Sequence, residues 1–149
     1  MTRVALPESL RAQILEEARK ALPGECCGLV EGVRLGEELR ITALHPARNL
    51  ATAPDRFELA PEDHFQAFKA ARANQHVLIG CYHSHPNGSP VLSATDRSGA
   101  GEVDFLWLIA ALTGPHAPVL FGAFAYSAAG FLTVDLDGPF GADLVTSSA

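Results

Sequence analysis

The chain has 149 residues, of which 48% are hydrophobic and 19% charged, with a formal net charge of −6. That length fits one domain and that composition a packed core, which excludes a disordered polypeptide. The acidic balance argues against a nucleic-acid binder, which presents a basic face, and the longest unbroken apolar run, Phe105 to Leu112, is too short to span a membrane.

Residues 8–21 read as a first helix, because Leu10, Ile14, Leu15, Ala18 and Leu22 recur at three- and four-residue spacing and Pro23-Gly24 ends the pattern. Cys27 to Val33 and Leu39 to Leu44 read as two strands around a turn at Gly36. An irregular stretch follows, His45 to Ala60, carrying Pro46, Asn49 and Pro54. Asn49 there suits a turn better than a contact to substrate backbone. Pro61 fits a first helical position, with Glu62 and Asp63 in the turn that the helix dipole favours, and Phe65, Phe68 and Ala71 or Arg72 share one face of this second helix. Val77 to Ser84 is a strand running straight into His85-Pro86, followed by the turn-rich Pro86-Asn87-Gly88-Ser89-Pro90. Ser93 to Asp96 begins a short third helix, and Phe105–Leu112, with Trp107 in its core, Val119–Tyr126 and Phe131–Leu136 complete the strands. This order predicts an α/β fold with a central mixed β-sheet and flanking helices. Residues 138–149 are small and polar and predict a flexible C-terminal tail.

Cys26, Cys27 and Cys81 cannot all pair within the chain, and two are neighbours, which suits reduced thiols in a cytoplasmic protein. The N-terminus shows no signal peptide.

His83-Ser84-His85 ends an apolar strand. Alternation puts both imidazoles on one face with Cα atoms roughly 6.6 Å apart, close enough to converge on one metal ion. A His-x-His pair alone is weak, being expected about 0.24 times in a chain of this composition. Adding Ser93 and Asp96 at their distances lowers the expectation to roughly 0.0006. Ser93-x-x-Asp96 is also a helix-capping pattern, and a cap would hold Asp96 rigidly beside the histidines. Two neutral imidazoles and one carboxylate leave a zinc ion with one position open to water, as catalytic rather than structural sites do. Hydrolysis then needs a base and a donor to the developing oxyanion. Ser93 is a candidate for the second, and the first must be an Asp or Glu elsewhere. Cys81 alternates onto the same face, where a packed core residue is favoured over a ligand. His45, His64, His76 and His116 lack ligand spacing and read as surface residues.

The run His83-Ser84-His85-Pro86, seven residues from Pro86 to Leu92, then Ser93-x-x-Asp96 resembles the signature of the JAMM/MPN+ (JAB-domain) metalloproteases. Pro23 to Gly32 resembles that family's segment bearing the catalytic glutamate. The resemblance implies a cytidine-deaminase-like α/β sandwich over residues 1–137. It implies one Zn2+ held by His83, His85 and Asp96, Glu25 as general acid/base and Ser93 at the oxyanion. It implies hydrolysis of an amide or isopeptide bond, after the C-terminal Gly-Gly of a ubiquitin-like or sulfur-carrier protein. The chain is compact between Glu25 and His83, unlike the members with large ubiquitin-gripping insertions. Two other readings are a non-catalytic MPN-type interaction module and a hydrolase of small amides or peptides. No nucleic-acid or membrane partner is expected, and the sequence leaves the oligomeric state open.

Overall fold

In chain order the elements are β1 (Arg3–Ala5), α1 (Glu8–Ala21), β2 (Cys27–Leu35), β3 (Glu38–Ala47), α2 (Pro61–Ala73) and β4 (Val77–His85). Then come α3 (Ala94–Ser98), β5 (Leu106–Ala111), β6 (Leu120–Ser127), β7 (Gly130–Thr133), β8 (Asp135–Asp137) and β9 (Leu144–Val145). They come from a computed structural model that describes residues 3–137 and 144–145. The predicted flexible tail lies outside the described residues, except that Leu144–Val145 pair in parallel with Phe121–Gly122 of β6.

The strands form one mixed sheet in the order β7-β6-β5-β4-β2-β3-β1-β8. Its two outermost strands are consecutive in the chain. The predicted strand Phe131–Leu136 is broken at Val134, so that β7 pairs with β6 while β8 pairs with β1. Val134 is buried and its N–H donates to the Ala123 carbonyl at 3.0 Å. The sheet therefore bends almost into a closed ring. β1 is three residues long, too short for a periodic pattern to reveal.

α1 spans the residues its pattern predicts and buries Ile14 and Ala18 in the larger core cluster, with Val30, Tyr82, Leu108 and Phe121. Leu22, held extended by the proline after it, ends the helix. α2 lies over the second cluster, Leu29, Cys81, Trp107, Ile109 and Phe124, but joins it through Ala67, and its other buried residue is Ala71. Phe65 and Phe68 share a face, and that face is exposed. The small alanines let α2 approach the sheet where phenylalanines would hold it away. No helix among the described residues is long and apolar enough to cross a membrane. Cys26, Cys27 and Cys81 are free, and burial pushes the Cys26 and Cys27 thiols up to about 12.

Two histidines read as surface residues are instead half-buried partners of a buried carboxylate. Glu31, 1% exposed, sits where the register of β2 shifts against both neighbours. Its Oε1 accepts from His45 Nε2 at 2.8 Å, and its Oε2 accepts from His76 Nδ1 at 2.6 Å and Asn74 Nδ2 at 3.1 Å. Burial opposes ionisation, but the His45, His76 and Asn74 hydrogen bonds outweigh it and hold the carboxyl below its usual range. One side chain thus pins β3 and the α2–β4 turn to the bulge. Glu31→Ala leaves the His45 and Asn74 donors without this acceptor and His76 Nδ1 with only Thr42 Oγ1, 3.1 Å away. It is expected to destabilise the fold by about 2–3 kcal/mol, read as a lower urea midpoint. Glu31→Gln, which keeps one acceptor, should recover part of that loss.

Candidate metal centre and active site

β4 and β5 run parallel, joined by a crossover that contains α3, and the predicted site residues gather at the carboxyl end of β4. Crevices at such strand ends are common ligand sites in α/β sheets. Alternation along β4 turns His83 and His85 to the α2 side, and Tyr82 and Ser84 to the α1 side. Tyr82 is fully buried, and its hydroxyl donates to Glu17 Oε1 on α1 at 2.7 Å. Its ring crosses Gly28, where any Cβ would collide with it.

His83, His85 and Asp96 meet as the spacing predicts. Their Nε2 atoms lie 3.0 Å apart, with Asp96 Oδ2 2.9 Å from His85 Nε2 and Asp96 Oδ1 3.2 Å from His83 Nε2. All three residues are buried. Ser93 is the N-cap of α3: Asp96 N–H donates to Ser93 Oγ at 3.0 Å and Ser93 N–H to Asp96 Oδ2 at 2.9 Å. The capping pattern is thus present beside the histidines, and it leaves the Ser93 hydroxyl proton available. Glu25, 6% exposed, completes the group, with one carboxylate oxygen and one ring nitrogen from each histidine all within 4.8 Å of one another.

The donor set fits a cation. His85 Nδ1–H donates to the Ser89 carbonyl at 2.8 Å, so a neutral His85 ring must turn its Nε2 lone pair toward a carboxylate and another imidazole nitrogen. Lone pairs facing one another repel unless a proton or a metal ion lies between them. A tetrahedral zinc with bonds near 2.0–2.1 Å sets its ligand atoms roughly 3.3–3.4 Å apart, close to the separations seen here. Glu25 Oε1 and His83 Nδ1 are buried without a hydrogen-bond partner in the protein.

The protein's own charges sort these groups. Desolvation lowers the proton affinity of His83. Desolvation also acts on His85, but Asp96, the Ser89 carbonyl and Glu25 together raise it. Burial resists the Asp96 charge, yet both histidines and the Ser93 N–H hold its carboxyl far below the usual range. Glu25 is raised to about 7, by desolvation first and then by the Asp96 and Asp55 charges, with His85 opposing. A carboxyl near 7 suits a group that takes and returns a proton at neutral pH.

Two cavities reach the His83, His85 and Asp96 group. One, of about 630 Å³, is lined by Glu25, His85 and Ser93 together with Pro54, Asp55 and Pro86. The other, of about 350 Å³, contains Asp96 with Phe57, Cys81 and Trp107. Cys81 is 3% exposed in the second core cluster, the packed role favoured for it. Phe57 stacks on His83 with centroids 4.3 Å apart and Trp107 meets the same ring edge-on, which closes His83 to solvent. Phe57 and Ser84 carry no sequence signal for their places here. Ser84 Oγ accepts from the Cys26 N–H at 2.8 Å, tying the segment after Glu25 to β4, and a serine between two histidines does not announce that task.

Residues 7–121 match the family described as prokaryotic homologs of the JAB domain. A desampylase of Haloferax volcanii is 35% identical over 118 residues, 76% of this chain and 84% of that protein. A desampylase of Pyrococcus furiosus is 31% identical over 85 residues, 57% of this chain and 58% of that protein. Among solved structures, a Desulfitobacterium hafniense protein superposes with a TM-score of 0.80 at 29% identity, covering 97% of this chain and 94% of its own. A Salinibacter ruber protein gives 0.69 at 27% identity, with 99% and 97% covered.

Proposed function

This chain belongs to the prokaryotic JAB-domain homologues, and from that premise we propose that it is a zinc-dependent isopeptidase. Its substrate is an amide bond after the C-terminal Gly-Gly of a ubiquitin-like or sulfur-carrier protein, and it works in the cytoplasm. The desampylase relatives support the reaction class. Residues 1–137 form the catalytic domain, a cytidine-deaminase-like sandwich whose ring of strands carries a helix on each face.

The observation that carries the reading is the meeting of His83, His85 and Asp96 beside a buried carboxyl raised to about 7. His83, His85 and Asp96 hold the metal. Bound there, zinc supplies a Lewis acid and brings the pKa of a water to about 7. Glu25 takes the proton of the attacking water and passes it to the departing amine. Ser93 donates its hydroxyl proton toward the carbonyl oxygen as that oxygen gains charge, while the capping box keeps the serine in place. His85 keeps its orientation through the Ser89 carbonyl, and Phe57 and Trp107 keep water from His83.

The purified zinc-loaded chain is expected to cleave a lysine conjugate of a small carrier protein ending in Gly-Gly, and to leave short amides largely intact. Cleavage of short amides alone would favour a small-peptide hydrolase. A protein unable to take up zinc or cleave either would be an interaction module.

A further inference from the structure

The loop between β3 and α2 turns on one side chain. Asn49 Nδ2 donates to the Glu25 carbonyl at 3.0 Å and to the Arg56 carbonyl at 3.3 Å. Its Oδ1 accepts from Ala51 N–H at 2.9 Å and from Glu58 N–H at 2.9 Å. Two donors and two lone pairs are the full capacity of a carboxamide, and all four are used. A turn-forming asparagine needs only the Oδ1 bond to the residue two places on. The bond to Glu25 reaches 24 residues back. It serves something other than the turn.

What it serves is the peptide group joining Glu25 to Cys26. The carbonyl of that group is held by Asn49, and its N–H donates to Ser84 Oγ at 2.8 Å. The plane that follows the candidate base is thus gripped from both sides, by β4 between the two histidines and by Asn49. On its other edge Asn49 shapes the loop whose neck is closed by Leu50 N–H to the Glu58 carbonyl and Ala60 N–H to the Arg48 carbonyl. That loop brings Asp55 into the cavity shared with Glu25 and lays Phe57 on His83.

We propose that Asn49 is a positioning residue that fixes the Glu25–Cys26 peptide against the loop covering His83, setting the reach of the Glu25 carboxylate to the metal centre. The proposal rests on the reading of Glu25 as the proton carrier of an amide hydrolase. It adds a requirement for the carboxamide itself, since an aspartate can keep the Ala51 and Glu58 bonds of the loop but cannot grip the peptide.

Asn49→Asp retains the acceptor for Ala51 and Glu58 while setting an oxygen against the Glu25 carbonyl and, within the loop, against the Arg56 carbonyl of the longer contact at 3.3 Å. Asn49→Ala removes both edges of the carboxamide. In zinc-loaded Asn49→Asp, kcat for the carrier-protein conjugate is expected to fall about 10–100-fold with KM within about twofold, as for a reacting group displaced by a fraction of an ångström. Zinc content should match wild type. Hydrogen exchange should quicken at the Cys26 amide and stay slow at Ala51 and Glu58. In Asn49→Ala all three amides should quicken and KM should rise as well. Wild-type kcat and Cys26 exchange in Asn49→Asp would reduce Asn49 to a turn former and overturn the proposal. So would a loss of rate no larger than the loss of folded or zinc-loaded protein. If the wild-type chain hydrolyses no amide at all, the reading of its function fails. The Cys26 exchange of Asn49→Asp still decides whether the carboxamide holds the peptide.

Discussion

Glu25→Gln is expected to keep its zinc and lose about 10²–10⁴-fold in kcat, the usual contribution of a general acid/base. The amide has the shape of the carboxylate and so preserves the packing of a side chain only 6% exposed, but it cannot accept the proton of the attacking water. Stability should not suffer, because a neutral amide is easier to bury than a carboxylate with an unpartnered oxygen. The direction of the pH dependence follows from the same burial. Desolvation raises Glu25 to about 7, and the group works as a base only when deprotonated, so kcat/KM climbs as pH rises through its pKa. A divalent ion nearby favours the charged form, which places the midpoint of that acid limb at or below about 7. The residual rate of Glu25→Gln should lack the limb. Steady-state kinetics across pH, with elemental analysis of both proteins, checks each part. Wild-type turnover in the variant would assign the proton to another group.

Asp96→Ala should be as damaging by a different route. The carboxylate meets both imidazoles, at 2.9 and 3.2 Å, and accepts the Ser93 N–H. In the proposed site its removal would take one of three protein ligands from the metal, and it takes half of the capping box from α3. Zinc content is expected to drop from about one per chain to near zero after dialysis against a chelator, with hydrolysis at background. The Ser93 Oγ bond to the backbone N–H of residue 96 survives, so loss of the other half of the box should cost no more than about 1 kcal/mol in the metal-free protein. Added zinc gives a cleaner readout. At about 100 times its dissociation constant it stabilises a site that binds it by about 2.7 kcal/mol, so wild type should gain thermal stability and Asp96→Ala should gain none. Retention of zinc by the variant would show that the ion is held elsewhere.

What could be read in the sequence was local. The first helix announces itself through Leu10, Ile14 and Ala18, and His83 and His85 share a face because strands alternate. Ser93 and Asp96 lie three residues apart on one cap. Glu25 was not legible in this way, since ten glutamates share the chain and nothing in the spacing distinguishes one. It was reached through resemblance to a family, and the fold then places it beside the histidines from 58 residues away. The Glu31 cluster failed to show for the same reason: its partners His45 and His76 lie 14 and 45 residues distant, on separate elements. Phe65 and Phe68 illustrate the opposite error. Their spacing marks an apolar face, but the sheet had room only for Ala67 and Ala71. The break at Val134 was hidden because one apolar run serves two strand partners, and periodicity does not say which neighbour a strand will have.

That break has a consequence for how the molecule comes apart. An open sheet peels from its outer strands inward, and whatever lies at the rim is lost first. Here the two rims are adjoining stretches of chain, so unpeeling must begin at the seam on either side of Val134. In the strand order, β4 and β2 occupy the two central places, as far from that seam as the ring allows. The histidines end one of them and Glu25 precedes the other. Fraying therefore has to travel halfway round from either direction before it reaches the candidate metal centre, and that site is among the last parts of the fold to loosen.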